Sequence, residues 1–455
     1  MQIPIPAPAR RFAAAVGAPV YLVGGAVRNA LLGLPGADLD VAGALPPEAV
    51  ADRCRAAGFA VEPRSRALGT TAVRVDGETL EYTAFRAERY APGGAHRPES
   101  VQFGATLEED AARRDFTCNA LYADCRSGAV TDPLGGLPDL AAHTLRQAGP
   151  RTLESDALRV LRLVRLACEL GFDIEPATLD AARAHAGALP DIAPERRREE
   201  LDRILVCDAR YPAAGRDEAR SVLRALRLLD ALGAWPCLIP EVEAGRNQAQ
   251  RPDHHRYPVM EHLFHACAAA PATPVLRLAA LLHDIGKPAC LAATGRLWAH
   301  DRYGEAIVRE RLAALRYPGA VVSRVAALVR HHMYDIQGTA HTATLRTRFV
   351  CWGRPFTEQL VALREADIRG CGYRTDYVHS RWRALLAEMA ADGTPFSEAE
   401  LAIDGAGIMR ALGIGPGPRV GQVKRALLLH CARHPEDNTP DRLAALAHDI
   451  SSFSF

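Results

Sequence analysis

The sequence predicts an α+β protein, a small mixed α/β head followed by a long all-helical body. Three observations predict it. Residues 1–145 carry short apolar runs and alternating stretches closed by turn residues. From about residue 150 that alternation nearly disappears and apolar residues recur at helical spacing. The chain has 455 residues, too many for one ordinary domain. The expected division is a head over 1–145, a helical neck over 146–215, a helical body over 216–375 and a helical tail over 376–455.

Each head element has its own signal. Val20-Tyr21-Leu22-Val23 is a short apolar run closed by Gly24-Gly25, and Val27, Ala30 and Leu31 then recur at helical spacing. Asp38-Leu39-Asp40-Val41 alternates like a strand. Thr71 to Val75 and Thr79 to Phe85 form a predicted hairpin around Asp76-Gly77. Asn119 to Tyr122 and Val130-Thr131 complete a small sheet. Leu153, Leu158, Leu161, Val164 and Leu166 to Leu170 then mark a helix ended by Gly171. Further helical periods run over 196–206, 219–232, 259–270, 275–283, 304–315, 321–332, 357–369, 380–391 and 420–432. Proline and glycine clusters separate several of them.

Composition narrows the function classes. Hydrophobic residues are 48% and charged residues 24%, ordinary for a soluble globular protein. A net charge of +1 provides no global positive field, so a nucleic-acid ligand needs local basic surfaces. Only two of the 55 basic residues, Lys287 and Lys424, are lysines, which weakens arguments from arginine content alone. Eleven cysteines without a CxxC pair fit scattered reduced thiols. Proline and arginine interrupt the first dozen residues, and no run of 18 apolar residues follows. The expectation is a cytoplasmic protein with no membrane partner.

The chemistry begins at Asp38 and Asp40. Residues at i and i+2 of a strand share a face, so the two carboxylates can hold Mg²⁺ together. Two solvated acids at a strand end give the same pattern. The glycine pair adds weight: Gly24 and Gly25 precede a helix, whose open N–H groups can face a phosphate, with Arg28 one turn further.

Leu22-Val23-Gly24-Gly25-Ala26-Val27-Arg28 followed by Asp38-Leu39-Asp40 resembles the signature of DNA polymerase β-like nucleotidyltransferases. The matching branch holds tRNA CCA-adding enzymes and bacterial poly(A) polymerases. Four further segments match it in order: Arg113 to Leu121 (RRDFTCNAL), Asp132 to Leu140 (DPLGGLPDL), Ser155 to Arg165 (SDALRVLRLVR) and Pro194 to Leu201 (PERRREEL). Two positions depart from the pattern. Asn29 stands where Asp is usual, and Ser155 where Glu is usual. The resemblance implies a polymerase β-like head with Asp38 and Asp40 catalytic, and Gly24, Gly25, Arg28 and Arg114 as nucleotide contacts. Glu81 is a candidate third carboxylate by its strand position, or a plain strand-edge acid.

In the neck, Asp156, Arg159, Arg162 and Arg165 follow a three-residue spacing that keeps neighbours close on a helix. A carboxylate beside a guanidinium offers acceptors and donors for a base edge. Arg162 and Arg165, further along the same spacing, are placed to meet phosphates or order that pair, and the resemblance implies that Asp156 and Arg159 select CTP and ATP. It also implies that Glu88 to Pro98 is a flexible loop governing the switch from C to A addition.

In the body, Leu281-Leu282-His283-Asp284-Ile285-Gly286-Lys287 carries an HD pair, with His262, His300, His331-His332 and Asp367 around it. This order resembles HD-domain metal-dependent phosphohydrolases, over about 255–370. The expected ligands to a second divalent metal are His262, His283, Asp284, His300, His331 and Asp367; imidazole with carboxylate suits Mn, Ni, Fe, Zn or Mg. A helical RNA-binding body that has lost its metal is the other reading. Residues 404–440 resemble the family's tail, which implies contact with the tRNA elbow.

The expected function is addition of CCA to the tRNA 3′ end from CTP and ATP, with Mg²⁺ as cofactor and tRNA, held at acceptor stem and elbow, as partner; no DNA partner is expected. An A-adding enzyme or a poly(A) polymerase is the alternative within the class. The final Ser-Ser-Phe-Ser-Phe carries no basic extension, which favours tRNA. An HD phosphohydrolase with an RNA-binding head is the alternative outside it.

Overall fold

The computed structural model describes residues 1–36, 38–90, 98–211, 221–373 and 378–452. The chain forms two compact units, Met1–Glu243 with Ala314–Tyr317, and Ala244–Ala313 with Pro318–Phe455.

The first unit is built on strands β1 (Val20–Val23), β2 (Leu39–Gly43), β3 (Ala60–Ser65), β4 (Thr70–Val75), β5 (Glu78–Ala84), β6 (Arg86–Arg89), β7 (Ser100–Phe103), β8 (Tyr122–Asp124) and β9 (Val130–Thr131). Seven of them form one sheet in the order β3-β4-β5-β2-β1-β8-β9, and β6 with β7 makes a separate ribbon. Neighbours in the large sheet are antiparallel except β2 and β5, which run parallel. A parallel pair needs a crossover. Here the connection includes the helix Pro47–Ala56, which buries Val50, Ala51 and Cys54.

The hairpin between β4 and β5 turns at Asp76 (φ 53°) and Gly77 (φ 85°), the two left-handed residues that a tight hairpin requires. The strand expected over 119–122 starts only at Tyr122. Thr117–Asn119 form a short 3₁₀ turn instead, in which the Asn119 and Ala120 N–H groups donate to the Phe116 and Thr117 carbonyls rather than across the sheet. The core holds Phe12, Leu22, Leu80 and Tyr82, all almost fully buried.

The helix Leu158–Leu170 follows, buried along nearly its whole length and ended by Gly171 in the left-handed conformation. It packs against the helix Pro194–Leu205.

The second unit is helical. Val259–Ala269, Pro274–Leu282, Gly319–His331 and Arg354–Gly370 pack around one centre. A Cβ on Gly286 would lie 2.1 Å from the His300 carbonyl oxygen and 2.4 Å from the Gly304 nitrogen. Only glycine lets the turn after His283-Asp284 touch the start of the helix His300–Ala314. The helices Gly405–Leu412, Pro418–Cys431 and Pro440–Ser452 form the C-terminal part. Among the described residues no helix is long and apolar enough to cross a membrane.

Candidate active site

In the first unit, strand register assembles an acidic cluster. Asp40 on β2 lies opposite Glu81 on β5, and Asp38 stands just ahead of β2. Asp40 is exposed by surface area, yet protein crowds its carboxyl. That loss of surrounding water, reinforced by Glu81 and Asp38 and opposed by Arg114 and Arg162, pushes its pKa up to about 6. Such a cluster of like charges is what a divalent cation relieves, so the donors fit Mg²⁺.

Gly24 borders this cluster. Its φ of +68° suits glycine, and a Cβ there would sit 3.9 Å from Asp40 Oδ2 and 3.8 Å from Arg114 Nη1. Gly25 then opens the helix Gly25–Leu32, whose first turn has no side-chain cap. Arg114 is fixed from behind: Nε donates to the Tyr122 hydroxyl (2.9 Å) and Nη2 to Asp110 Oδ2 (3.1 Å). Asp110 is fully buried; burial alone would raise its pKa, but Arg113 and Arg114 hold it below the usual carboxylate range.

Arg28 is buried, and its guanidinium is shared between two amide oxygens. Nη1 donates to Asn119 Oδ1 (2.6 Å), while Nε and Nη2 donate to Asn29 Oδ1 (3.2 and 2.9 Å). The unusual Asn29 has a job that Asp could not do: its Nδ2 donates to the Pro35 carbonyl (2.9 Å) and the Tyr211 hydroxyl (3.1 Å). The chain of bonds continues. Asn119 Nδ2 donates to Asp115 Oδ1 (3.0 Å), and Arg162 donates to Asp115 Oδ2 through Nε (2.9 Å) and Nη2 (2.6 Å). Burial alone would raise the Asp115 carboxyl, but Arg162, the Asn119 hydrogen bond and Arg159 together hold it well below its usual range. The glycine turn and the neck helix are thus joined by Arg28, Asn119, Asp115 and Arg162. Asn119 and Asp115 are not among the expected site residues, although both lie inside the RRDFTCNAL segment.

Asp156 and Arg159 stand at the start of the neck helix. Asp156 Oδ1 accepts from the Leu158 N–H (3.0 Å) and Oδ2 accepts from Arg196 Nη2 (3.0 Å). Arg159 donates to the carbonyl oxygens of Thr152 (3.0 Å) and Arg113 (2.6 Å). The role of Arg196, forty residues away, was not foreseen. Arg165 is buried between Glu200 Oε2 (2.7 Å) and Glu169 Oε2 (2.9 Å). The expected loop at Glu88 to Pro98 falls largely on 91–97, outside the described residues. Its flank is described: the Glu88 carboxylate accepts from Arg86 Nε and Tyr90 Oη, each at 2.6 Å.

The second unit holds a separate histidine–aspartate cluster. His262 Nε2 lies 3.1 Å from His283 Nε2, 3.1 Å from Asp367 Oδ1 and 3.4 Å from Asp284 Oδ2. The other Asp284 oxygen, Oδ1, lies 3.1 Å from His300 Nε2 and 3.5 Å from His332 Nε2. Asp284 therefore joins two ligand groups, one with His262 and His283, the other with His300 and His332; Asp367 Oδ1 adjoins the first, 3.1 and 3.4 Å from the Nε2 atoms of His262 and His283. Tautomers support a metal here. Nδ1 of His283, His300 and His332 faces the carbonyl oxygens of Ala280, Leu297 and Val329 at 2.8, 2.8 and 2.6 Å. A carbonyl only accepts, so each Nδ1 carries a hydrogen, and each Nε2 presents a lone pair inward when the ring is neutral. Burial disfavours a charged imidazole, yet Asp284 and Asp367 push His283 up to about 10, a pull for positive charge that a cation would answer.

One expected ligand is corrected. His331 lies outside the cluster, with its ring 5.2 Å from the Trp352 ring and 6.1 Å from that of Phe356. The inward residue is its neighbour His332, because successive helical residues point about 100° apart and only one of an adjacent pair can face the centre. Lys287, whose Nζ lies 2.5 Å from Asp284 Oδ2, was also not foreseen.

Comparison with known proteins follows the same division. Residues 20–146 match the poly A polymerase head domain, 171–214 the probable RNA and SrmB- binding site of polymerase A, and 255–369 the HD domain. The chain is 37% identical to the A-adding tRNA nucleotidyltransferase of Deinococcus radiodurans over 89% of this chain and 90% of that protein.

The chain belongs to the tRNA nucleotidyltransferase family.

The CC-adding tRNA nucleotidyltransferase of Thermus thermophilus is 34% identical over 90% of this chain and 88% of that protein. Among solved structures, the Bacillus stearothermophilus CCA-adding enzyme in complex with CTP superimposes with a TM-score of 0.65 at 25% identity, covering 98% of this chain and 97% of that one. This tRNA nucleotidyltransferase thus has relatives of more than one nucleotide specificity.

Proposed function

We propose that the protein completes the tRNA 3′ end by adding C and A residues from CTP and ATP, using Mg²⁺ held by Asp38 and Asp40. The observation that carries this is the carboxylate cluster of Asp38, Asp40 and Glu81 beside the Gly24 turn. Bound Mg²⁺ supplies charge neutralisation for the triphosphate and lowers the pKa of the attacking hydroxyl. Asp38 and Asp40 are the ligands in this reading, and Glu81 is a third carboxylate for the same site. The first-turn amides after Gly24 face the phosphates, with Arg28 braced behind them by Asn29 and Asn119. Arg114, held by Asp110 and Tyr122, provides positive charge next to Asp40.

Base selection falls to Asp156 and Arg159. A protein pair whose donors and acceptors are preset rejects a base edge that leaves them unpaired. Arg162 is the link that ties this pair's helix to the head through Asp115. We read Arg165, closed between two glutamates, as a brace for that helix. tRNA is the acceptor, gripped at its acceptor stem and elbow. An A-adding enzyme is the second reading, favoured by the 37% identity to the D. radiodurans protein. Purified protein is tested on tRNA transcripts ending at the discriminator base, at C and at CC, each with CTP, ATP or both. Growth of the shortest transcript to full CCA supports our reading; extension of only the CC-ended transcript, with ATP, supports the second.

The histidine–aspartate cluster supports a second activity, metal-dependent hydrolysis of phosphoesters. His262, His283 and Asp284, with Asp367 beside both histidines, fit one divalent cation, and Asp284, His300 and His332 a neighbouring one. The substrates we propose are small phosphates or cyclic and terminal phosphates at damaged tRNA ends, since a blocked terminus must be cleared before a nucleotide is added. Hydrolysis of 2′,3′-cyclic phosphate by metal-reconstituted protein, lost in His283→Ala, tests it.

A further inference from the structure

A third ligand group adjoins the histidine–aspartate cluster, and of its members only His262 serves in a proposed activity. Cys371, at the end of the helix Arg354–Gly370, places Sγ 3.5 Å from His255 Nδ1. The His255 ring in turn stands edge-on to the His262 ring, with centroids 4.6 Å apart. One donor atom from each of His255, His262 and Cys371 falls within 4.8 Å of the others, the spacing of ligands around one ion. The two segments are tied together: the Arg256 N–H donates to the Cys371 carbonyl at 2.9 Å. The chain thus sets thiol and imidazole side by side through its backbone.

A second observation points to a ligand. His262 is wholly buried, and its Nδ1 has no hydrogen-bond partner among the described residues. Every other histidine of the cluster has its Nδ1 satisfied by a backbone carbonyl. A buried ring nitrogen without a partner is costly unless something fills the place. His255 and Cys371 are only half-buried, so an ion reaches them from solution.

We propose that His255, Cys371 and His262 form a site for a thiophilic divalent cation such as Zn²⁺, and that occupancy of this site inhibits hydrolysis, because a cation on Nδ1 of the neutral His262 ring leaves the ring hydrogen on Nε2 and removes the lone pair that the hydrolytic cluster uses. Thiolate and imidazole select soft and borderline metals over Mg²⁺. On binding, the cation displaces the thiol proton to solvent and forms a metal–sulfur bond, with no change of oxidation state. The hydrolytic cluster has no sulfur donor, so cations such as Mn²⁺ and Mg²⁺ distribute toward it while Zn²⁺ is drawn to the mixed site. The inhibitory half of the proposal rests on the hydrolytic reading; the binding half does not.

The test is Co²⁺ titration of the full-length protein, read by absorption. Tetrahedral thiolate coordination gives sulfur-to-cobalt charge-transfer bands that nitrogen and oxygen ligands do not. The bands are expected in the native protein, absent in Cys371→Ser, and weakened in His255→Ala. Native protein without the bands, or bands that persist in Cys371→Ser, would overturn the site. Hydrolysis of a generic phosphodiester with Mn²⁺ is then measured against added Zn²⁺. The Zn²⁺ concentration for half-inhibition is expected to rise at least about tenfold in Cys371→Ser. Equal inhibition of both proteins would overturn the inhibitory role. Bands lost in Cys371→Ser together with no hydrolysis under any metal would support the site and remove the hydrolytic reading.

Discussion

Asp40 and Glu81 face each other across the parallel pairing of β2 and β5, so two carboxylates on separate strands meet at one point of the sheet. Their repulsion is part of what raises Asp40 to about 6. Parallel neighbours are joined through a crossover, and their register places Glu81 where sequence distance would not.

Stability should report this repulsion. Because the folded pKa of Asp40 lies above its ordinary 3.8, the fold favours the protonated form. Its stabilising contribution is complete below the unfolded value and is lost as pH rises through about 6. Asp40→Asn should therefore melt higher than the native protein at about pH 7.5 without divalent metal, and the difference should vanish below about pH 4. Adding Mg²⁺ should stabilise the native protein and leave Asp40→Asn nearly unmoved. Thermal melts at the two pH values, with and without Mg²⁺, check this.

Glu81 should matter to metal affinity. Glu81→Gln removes a charge that raises Asp40, so the acid limb of the pH–rate profile should shift to lower pH. If Glu81 also holds the cation, the Mg²⁺ concentration for half-maximal activity should rise by at least about tenfold, equivalent to about 1.4 kcal/mol. An unchanged Mg²⁺ requirement would return Glu81 to a strand-edge acid.

Base selection should depend on the start of the neck helix. Asp156→Ala and Arg159→Ala should blur the choice among CTP, ATP, UTP and GTP more than they weaken tRNA binding. Arg196→Ala, which removes a partner of Asp156, should give a milder form of the same change. Selectivity unchanged in all three would move base reading to other groups, Arg114 among them.

The two adjacent histidines should separate cleanly. His332→Ala should lower bound metal and phosphodiester hydrolysis by at least about tenfold, while His331→Ala, whose ring packs on Trp352, should retain both. Metal analysis of the reconstituted variants beside the hydrolysis rate decides it.

Much of this was legible in the sequence, for identifiable reasons. The Asp38-x-Asp40 pair, the glycine turn, the hairpin at Asp76-Gly77 and the helix stop at Gly171 are local signals, set by a few neighbouring residues. Helical periods marked the body for the same reason. What escaped is contact between distant segments. The Asp40–Glu81 register depends on a crossover, and the Asp156–Arg196 bond joins two helices forty residues apart. The link from Arg28 through Asn119 and Asp115 to Arg162 depends on side-chain directions that motif order does not give. Spacing alone does not distinguish His331 from His332, because it does not say which of two adjacent residues at a helix end turns inward.

The central claim is that Asp38 and Asp40 together hold the catalytic metal for nucleotide addition to tRNA. The most direct measurement is the single-turnover rate of nucleotide addition to a tRNA transcript by Asp38→Ala and Asp40→Ala, with tRNA affinity and thermal stability measured in parallel. The account predicts that both variants fold and bind tRNA nearly as the native protein does, and that addition is abolished in each. Either variant keeping more than roughly a tenth of the native rate, a loss of only about 1.4 kcal/mol of transition-state stabilisation, would contradict it.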